Sequence, residues 1–285
     1  MTRPYLVIGH RGARGLWPEN TLAAFAGALA LGVDALELDV AMTADGVVVV
    51  SHDPALNPNL TRDATAAWVD GPGPLIRSLQ AAELAAYDVG RLRPGTPYAA
   101  LFPDQSPRDG EHIPRLAEVL RLSNDTRFII ELKTYPADPE RSASGPELAD
   151  AAVAVADAAG ATSRITVEGF DWRGPRHLRN TRNDVRLAWL TSATTVRDAA
   201  AWWGGPHPAD FGDSVPRAVA AEGGPVWGPD ASDLTRDQVD EAHMLGLAVI
   251  PWTVNAPEDM ARLIGWGVDG IVTDRPDRAL QLVIK

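Results

Sequence analysis

The sequence predicts an α/β fold, a (β/α)8 barrel with an insertion after the second strand. Three observations carry that expectation. Apolar runs alternate with helix-like segments, and about eight such units fit into the 285 residues. Polar and aromatic residues that could carry chemistry stand at or near the ends of these runs: His10, His52, Glu131, Phe170 and Trp252. Barrels of this type gather their sites at the carboxyl ends of the strands. One long irregular stretch, 54–114, interrupts an otherwise regular rhythm. The expectation is one barrel domain over 1–285, with 54–114 rising over its mouth.

The elements follow in order. Tyr5-Leu6-Val7-Ile8 reads as the first strand and ends at Gly9-His10-Arg11. Pro18-Glu19-Asn20-Thr21 opens a helix whose face carries Leu22, Phe25 and Leu29, and Gly32 closes it. Ala35–Val40 is the second strand, and Asp45-Gly46 turns tightly into Val47–Ser51. The insertion is rich in Pro, Gly, Asn and Asp, with one helical piece at Ser78–Tyr87; its Arg91, Arg93, Tyr98 and Phe102 are candidates for ligand contact or for local packing. A short helix is expected at Leu116–Leu122 and a strand at Arg127–Lys133. Pro146–Ala159 is an alanine-rich helix, Ile165–Phe170 a strand, and a helix follows Asp171. Leu187–Leu190 is a strand and Thr195–Trp203 a helix; a helix near Val215–Ala221 and a strand near Val226–Trp227 complete the middle. Arg236–Leu245 is a helix, Ala248–Asn255 a strand, and Glu258–Ile264 a helix. Val268–Asp274 and Pro276–Val283 are the last strand and helix.

Composition excludes several function classes. A net charge of −12 and a pI near 4.9 argue against nucleic acid and against anionic membrane surfaces. No apolar run is long enough to span a bilayer, so no stable membrane insertion is expected. A strand beginning near Tyr5 leaves no room for a signal peptide, which points to the cytoplasm. Cysteine is absent, so disulfides and thiolate metal sites are excluded.

Strand geometry makes one pair of residues specific. Residues two apart in a strand share a face, so Glu37 and Asp39 point the same way. Two like charges held together out of water call for a cation, and oxygen ligands suit Mg²⁺ or Ca²⁺. The same spacing also describes the wet face of an edge strand, with Leu36, Leu38 and Val40 inward; the segment alone leaves both open. Glu131 and Lys133 repeat the two-residue spacing. Glu131 would complete a three-carboxylate site, and Lys133 would hold a phosphate oxygen as a point charge. Lys133 and Lys285 are the only lysines in a chain that otherwise uses arginine, so Lys133 is either a place where a compact ammonium is needed or a lysine retained by chance. The remaining histidines, His112, His177, His207 and His243, lack paired acidic spacing and read as surface or structural.

Together, H-R-G-x-x-x-x-x-P-E-N-T, E-L-D-V-x-x-T-x-D-G-x-x-V-x-x-H-D, E-L-K, W-T-V-N and G-V-D-G-I-V-T-D-R-P resemble glycerophosphodiester phosphodiesterases. The resemblance runs in order through both ends of the chain. It implies a metal-dependent (β/α)8 barrel that cuts small glycerophosphodiesters to glycerol 3-phosphate and an alcohol. It implies one divalent cation, Mg²⁺ or Ca²⁺, on Glu37, Asp39 and Glu131. It implies His10 and His52 as the acid–base pair, with Arg11 and Lys133 on the phosphate. Phe170 and Trp252 would pack against the glycerol carbons, although barrel packing explains them equally well. Two positions depart from the pattern. Pro251 stands where a strand residue is more usual, and Glu168 puts a carboxylate where a neutral residue is more usual. Two other readings compete. A lysophospholipase D acting on lipids would want an apolar rim or a basic face, against the acidic balance. A barrel that only binds a ligand would have lost a histidine or a metal carboxylate, and none is lost.

Overall fold

In a computed structural model that describes residues 4–282, the strands are β1 (Leu6–Gly9), β2 (Ala35–Met42), β3 (Val48–Val50), β4 (Arg127–Leu132), β5 (Ile165–Gly169), β6 (Arg186–Thr191), β7 (Val226–Pro229), β8 (Ala248–Val249) and β9 (Gly270–Thr273). They lie in the order β8-β7-β6-β5-β4-β2-β1-β9, all neighbours parallel, with β3 antiparallel on the edge of β2. The gap between β8 and β9 is spanned by backbone bonds from Asp269 N to Val249 O (2.9 Å) and from Val272 N to Pro251 O (3.0 Å). Eight parallel strands with helices between them thus form a nearly closed (β/α)8 barrel.

The expected elements appear, mostly with trimmed ends. Thr21 caps the first helix, Leu22–Leu31, by accepting the Ala24 amide, and Gly32 closes it at φ 86°. Strand β8 is two residues long where eight were expected. Proline has no N–H to give to a ladder, so regular pairing ends before Pro251. The chain nevertheless continues beside β7, through bonds from Ile250 N to Trp227 O (2.9 Å) and from Trp252 N to Pro229 O (3.1 Å). The helix expected over Thr195–Trp203 breaks at Asp198 into Ala193–Arg197 and Ala199–Trp202. The piece expected at Ser78–Tyr87 is helical only over Ala81–Leu84. The last helix spans Pro276–Gln281; Val283 at its expected end lies outside the described residues, as does Lys285.

Two apolar layers fix the barrel. Outward side chains such as Leu36, Leu38, Phe128 and Ile130 pack with Leu148 and Ala152 of the helix Gly145–Ala158. On the other side Trp172 stacks on Trp203 at 4.0 Å and meets Trp189 edge-on. Strand β2 lies between β1 and β4, with Glu37 and Asp39 buried. Leu36 and Leu38 face the helices, so Glu37 and Asp39 must face the barrel interior, and the edge-strand alternative falls away. Among the described residues no helix is long and apolar enough to cross a membrane.

Candidate active site

The parallel register sets the carboxylates side by side. Asp39 of β2 is opposite Glu131 of β4, and Glu131 is opposite Glu168 of β5. Oxygens of Glu37, Asp39 and Glu131 lie within 4.8 Å of one another, buried at the carboxyl end of the barrel. Their charge is only partly answered. Asp39 Oδ2 accepts a bond from Asn20 Nδ2 (2.8 Å) and lies 3.2 Å from Arg11 Nε. Asp39 Oδ1 is buried without a hydrogen-bond partner among the described residues, 3.7 Å from Lys133 Nζ. Glu37 Oε2 accepts the Arg11 amide (2.8 Å), and Glu131 Oε1 accepts Lys133 Nζ (2.6 Å).

The electrostatics follow. Burial, with Asp39, Glu131 and Glu168 around it, pushes the Glu37 carboxyl well above its ordinary range. Burial also opposes ionisation of Asp39, but Arg11, His52 and Lys133 overcome it and hold that carboxyl low. Burial lowers the Lys133 ammonium, but Glu131 and Asp39 outweigh it and the group is pushed up to about 12. A buried, oxygen-only donor set with an orphaned carboxylate oxygen and surplus negative charge fits a hard divalent cation. Glu37, Asp39 and Glu131 are the residues that would hold it.

Each histidine in the site turns Nδ1 to an aspartate. His10, just past β1, has Nδ1 2.6 Å from Asp274 Oδ1, and its Nε2 lies 3.8 Å from Glu37 Oε2. Asp274 also accepts bonds from Arg14 Nε (3.0 Å) and Asn255 Nδ2 (2.8 Å). Burial pulls the His10 imidazole down to about 4, against the pull of Asp274 in the other direction. His52, after β3, has Nδ1 2.9 Å from Asp53 Oδ1, and Asp53 accepts Asn57 Nδ2 at 2.5 Å. This pair is partly open to solvent. Holding Nδ1 leaves Nε2 of each ring for chemistry.

Both histidines, Glu37, Glu131, Lys133, Phe170 and Trp252 line one cavity of ≈ 190 Å³. The Phe170 and Trp252 rings meet edge-on with centroids 5.3 Å apart, and Lys133 Nζ lies 6.0 Å from the Phe170 centroid. Arg11 lines the same cavity, but its guanidinium is engaged by Glu19 (2.6 Å) as well as by Asp39. Arg11 sits at φ 50° and Asn20 at φ 57°, left-handed conformations that a non-glycine residue adopts at a cost on the order of 1–2 kcal/mol. The strain turns the Arg11 amide to Glu37 and the Asn20 side chain to Asp39.

Residue-by-residue reasoning overlooked Arg14, Glu19, Asn20, Asn255 and Asp274. All stand within the quoted motifs, and Asp274 ends the last strand segment, so position was the available signal. Of the insertion residues, Tyr98 reaches the site's edge: its hydroxyl bonds Glu19 and lies 3.3 Å from Arg14 NH1. The Arg14 guanidinium lies 4.7 Å from the Phe102 ring centroid. Arg91 pairs with exposed Asp109, and Arg93 lies near Trp68, consistent with local packing. His177 pairs with Asp150 and His243 with Asp269 on the surface, His112 bonds the Tyr87 carbonyl, and His207 caps a short turn.

Fold and cluster position place the chain among (β/α)8-barrel enzymes. The glycerophosphoryl diester phosphodiesterase family matches residues 10–278. A glycerophosphodiester phosphodiesterase of Caldanaerobacter subterraneus subsp. tengcongensis is 30% identical over 286 residues, covering 98% of each chain. The crystal structure of a provisionally named glycerophosphoryl diester phosphodiesterase from Silicibacter pomeroyi superposes with a TM-score of 0.88 at 41% identity, covering 97% of this chain and 93% of that one. An Oleispira antarctica phosphodiesterase, solved with sn-glycerol-3-phosphate as product, shares the fold at TM-score 0.70 and 22% identity, covering 96% and 95%. The chain therefore belongs to the glycerophosphoryl diester phosphodiesterase family, and by that membership it is a phosphoric diester hydrolase.

Proposed function

We propose that this protein hydrolyses small glycerophosphodiesters to glycerol 3-phosphate and an alcohol, with one divalent cation, Mg²⁺ or Ca²⁺, held by Glu37, Asp39 and Glu131. The observation that carries this reading is the buried carboxylate cluster beside two aspartate-held imidazoles in one cavity. The sn-glycerol-3-phosphate bound to the Oleispira antarctica phosphodiesterase supports the choice of product. When bound, the cation supplies Lewis acidity to a phosphate oxygen and offsets the diester charge. Lys133 adds a fixed positive charge beside the reacting phosphate, and Arg11, tied to Glu19 and Asp39, adds its field from behind.

The histidines move the protons. His10, kept neutral by burial, is in the form that accepts one; it takes the proton of the glycerol hydroxyl next to the phosphate as that oxygen attacks phosphorus. His52 gives a proton to the departing alcohol oxygen as the P–O bond breaks. Water then opens the cyclic phosphate with the two roles reversed. Phe170 and Trp252 pack against the glycerol carbons, and the 54–114 segment covers the mouth, tied to it through Tyr98. The test is glycerol 3-phosphate release from a panel of glycerophosphodiesters with different alcohols. Release from several of them is expected; no release from any, by a folded and metal-loaded protein, contradicts the proposal.

A further inference from the structure

The inward positions of a (β/α)8 barrel are normally filled by layers of bulky side chains. In the lower half of this barrel, Ala35 of β2, Ala188 of β6 and Gly228 of β7 line a cavity of ≈ 330 Å³ instead. Its walls include Leu6, Ile129 and Ile250, and its charged groups sit at two ends. Arg127 begins β4 and Arg186 begins β6, at the amino-terminal face. Period two sets Arg127 on the face of Ile129, and Arg186 on the face of Ala188. Neither arginine makes an ion pair or side-chain hydrogen bond with another described residue, in a chain with 38 acidic residues. Arg164 at the same rim is already occupied by the carbonyls of Ser123 and Thr126.

Glu168 closes the inner end. It is 8% exposed, stands opposite Glu131 and lines both this cavity and the catalytic one, with no hydrogen bond or ion pair among the described residues. A buried carboxylate without a partner is costly, and a cation brought to it offsets that cost. Arg186 is opposite Thr166, two residues below Glu168, and Arg127 is four residues below Glu131, which is opposite Glu168, so the backbone positions at the two ends are roughly 7 Å apart for Arg186 and roughly 13 Å for Arg127 along the strands.

We infer that the barrel floor is a second binding site, for a slender zwitterion with an ammonium at Glu168 and a carboxylate or phosphate at Arg127 and Arg186. The arginine rim lies on the amino-terminal face, opposite the catalytic mouth, and the inner end meets the catalytic cavity at Glu168; the inference does not depend on the hydrolytic reading.

The experiment is calorimetric titration of the metal-loaded protein with 4-aminobutyrate, 6-aminohexanoate and O-phosphoethanolamine, with hexanoate and hexylamine as single-charge controls. Saturable binding of at least one zwitterion is expected, with both controls roughly tenfold weaker or worse. A188L, which fills the cavity, and R186Q, a change at its exposed rim, should each weaken that binding by roughly tenfold or more. Because R186Q lies at the surface, it keeps the test open even if A188L does not fold. No saturable binding of any zwitterion overturns the inference. So does hexanoate binding as well as the zwitterions, or binding that persists in R186Q.

Discussion

The two histidine arms of the site are built to one plan and buried to different depths. His10 rests on Asp274, which Arg14 and Asn255 also hold, with both His10 and Asp274 almost wholly buried. His52 rests on Asp53, which among the described residues only Asn57 also holds by a side-chain hydrogen bond, and about a third of each side chain is exposed. The first arm is anchored by the ends of β1 and β9, elements of the barrel wall; the second stands on the loop that leaves β3. A side chain fixed by the scaffold is positioned more accurately than one on a loop. The difference teaches that one imidazole is set by two barrel strands and the other by a partly exposed loop.

The largest expected effect ignores that difference. His10→Ala and His52→Ala should each lower kcat by roughly 10²–10⁴-fold while metal affinity, read by calorimetry, is kept. Activity surviving in both would remove the acid–base assignment. The arms separate at the next step. Asp274→Ala leaves Arg14 and His10 without their buried partner and should cost about 3–5 kcal/mol in denaturant unfolding. Asp53→Ala, partly exposed, should cost about 1 kcal/mol or less. Equal losses would erase the distinction between the buried and the exposed arm.

The pH profile sharpens the same comparison. Protonating His10 removes the base, and burial favours its neutral form, so the acid limb of kcat/KM should fall below 6.5, toward about 4. An acid limb that stays at 6.5 or above would contradict His10 as the base. The smallest effect concerns the insertion. Tyr98→Phe deletes the hydroxyl that bonds Glu19, one bond removed from Arg11, and should reduce kcat/KM by roughly tenfold or less. A loss as large as that of a histidine variant would make Tyr98 part of the chemistry.

Much of this was legible in the sequence because the barrel writes its site at strand ends. The two-residue spacing of Glu37 and Asp39 and of Glu131 and Lys133 found the carboxylates and the ammonium, since a strand shows alternate residues to one face. Spacing left open whether β2 was an edge; only the pairing of β2 with both β1 and β4 decides that. Asp274 was not assigned because its partner, His10, lies 264 residues away in the chain, and periodicity carries no information at that range; Asn255 acts only through Asp274 and was missed with it. Arg11 was matched to phosphate through the family resemblance, but its guanidinium is held by Glu19 and Asp39, with left-handed backbone at Arg11 and Asn20. The short β8 follows from one missing N–H at Pro251, whose local effect outweighs the apolar run around it.

The proposed reaction turns on the carboxylate cluster as the seat of a divalent cation. Its most direct test is a titration of chelated protein with Mg²⁺ and Ca²⁺, following heat and glycerol 3-phosphate release together, for wild type and Asp39→Asn. Saturable binding near one ion per chain is expected, with release that rises with occupancy and affinity at least roughly tenfold weaker in the variant. Full release after chelation, or unchanged affinity in Asp39→Asn, would contradict the proposal.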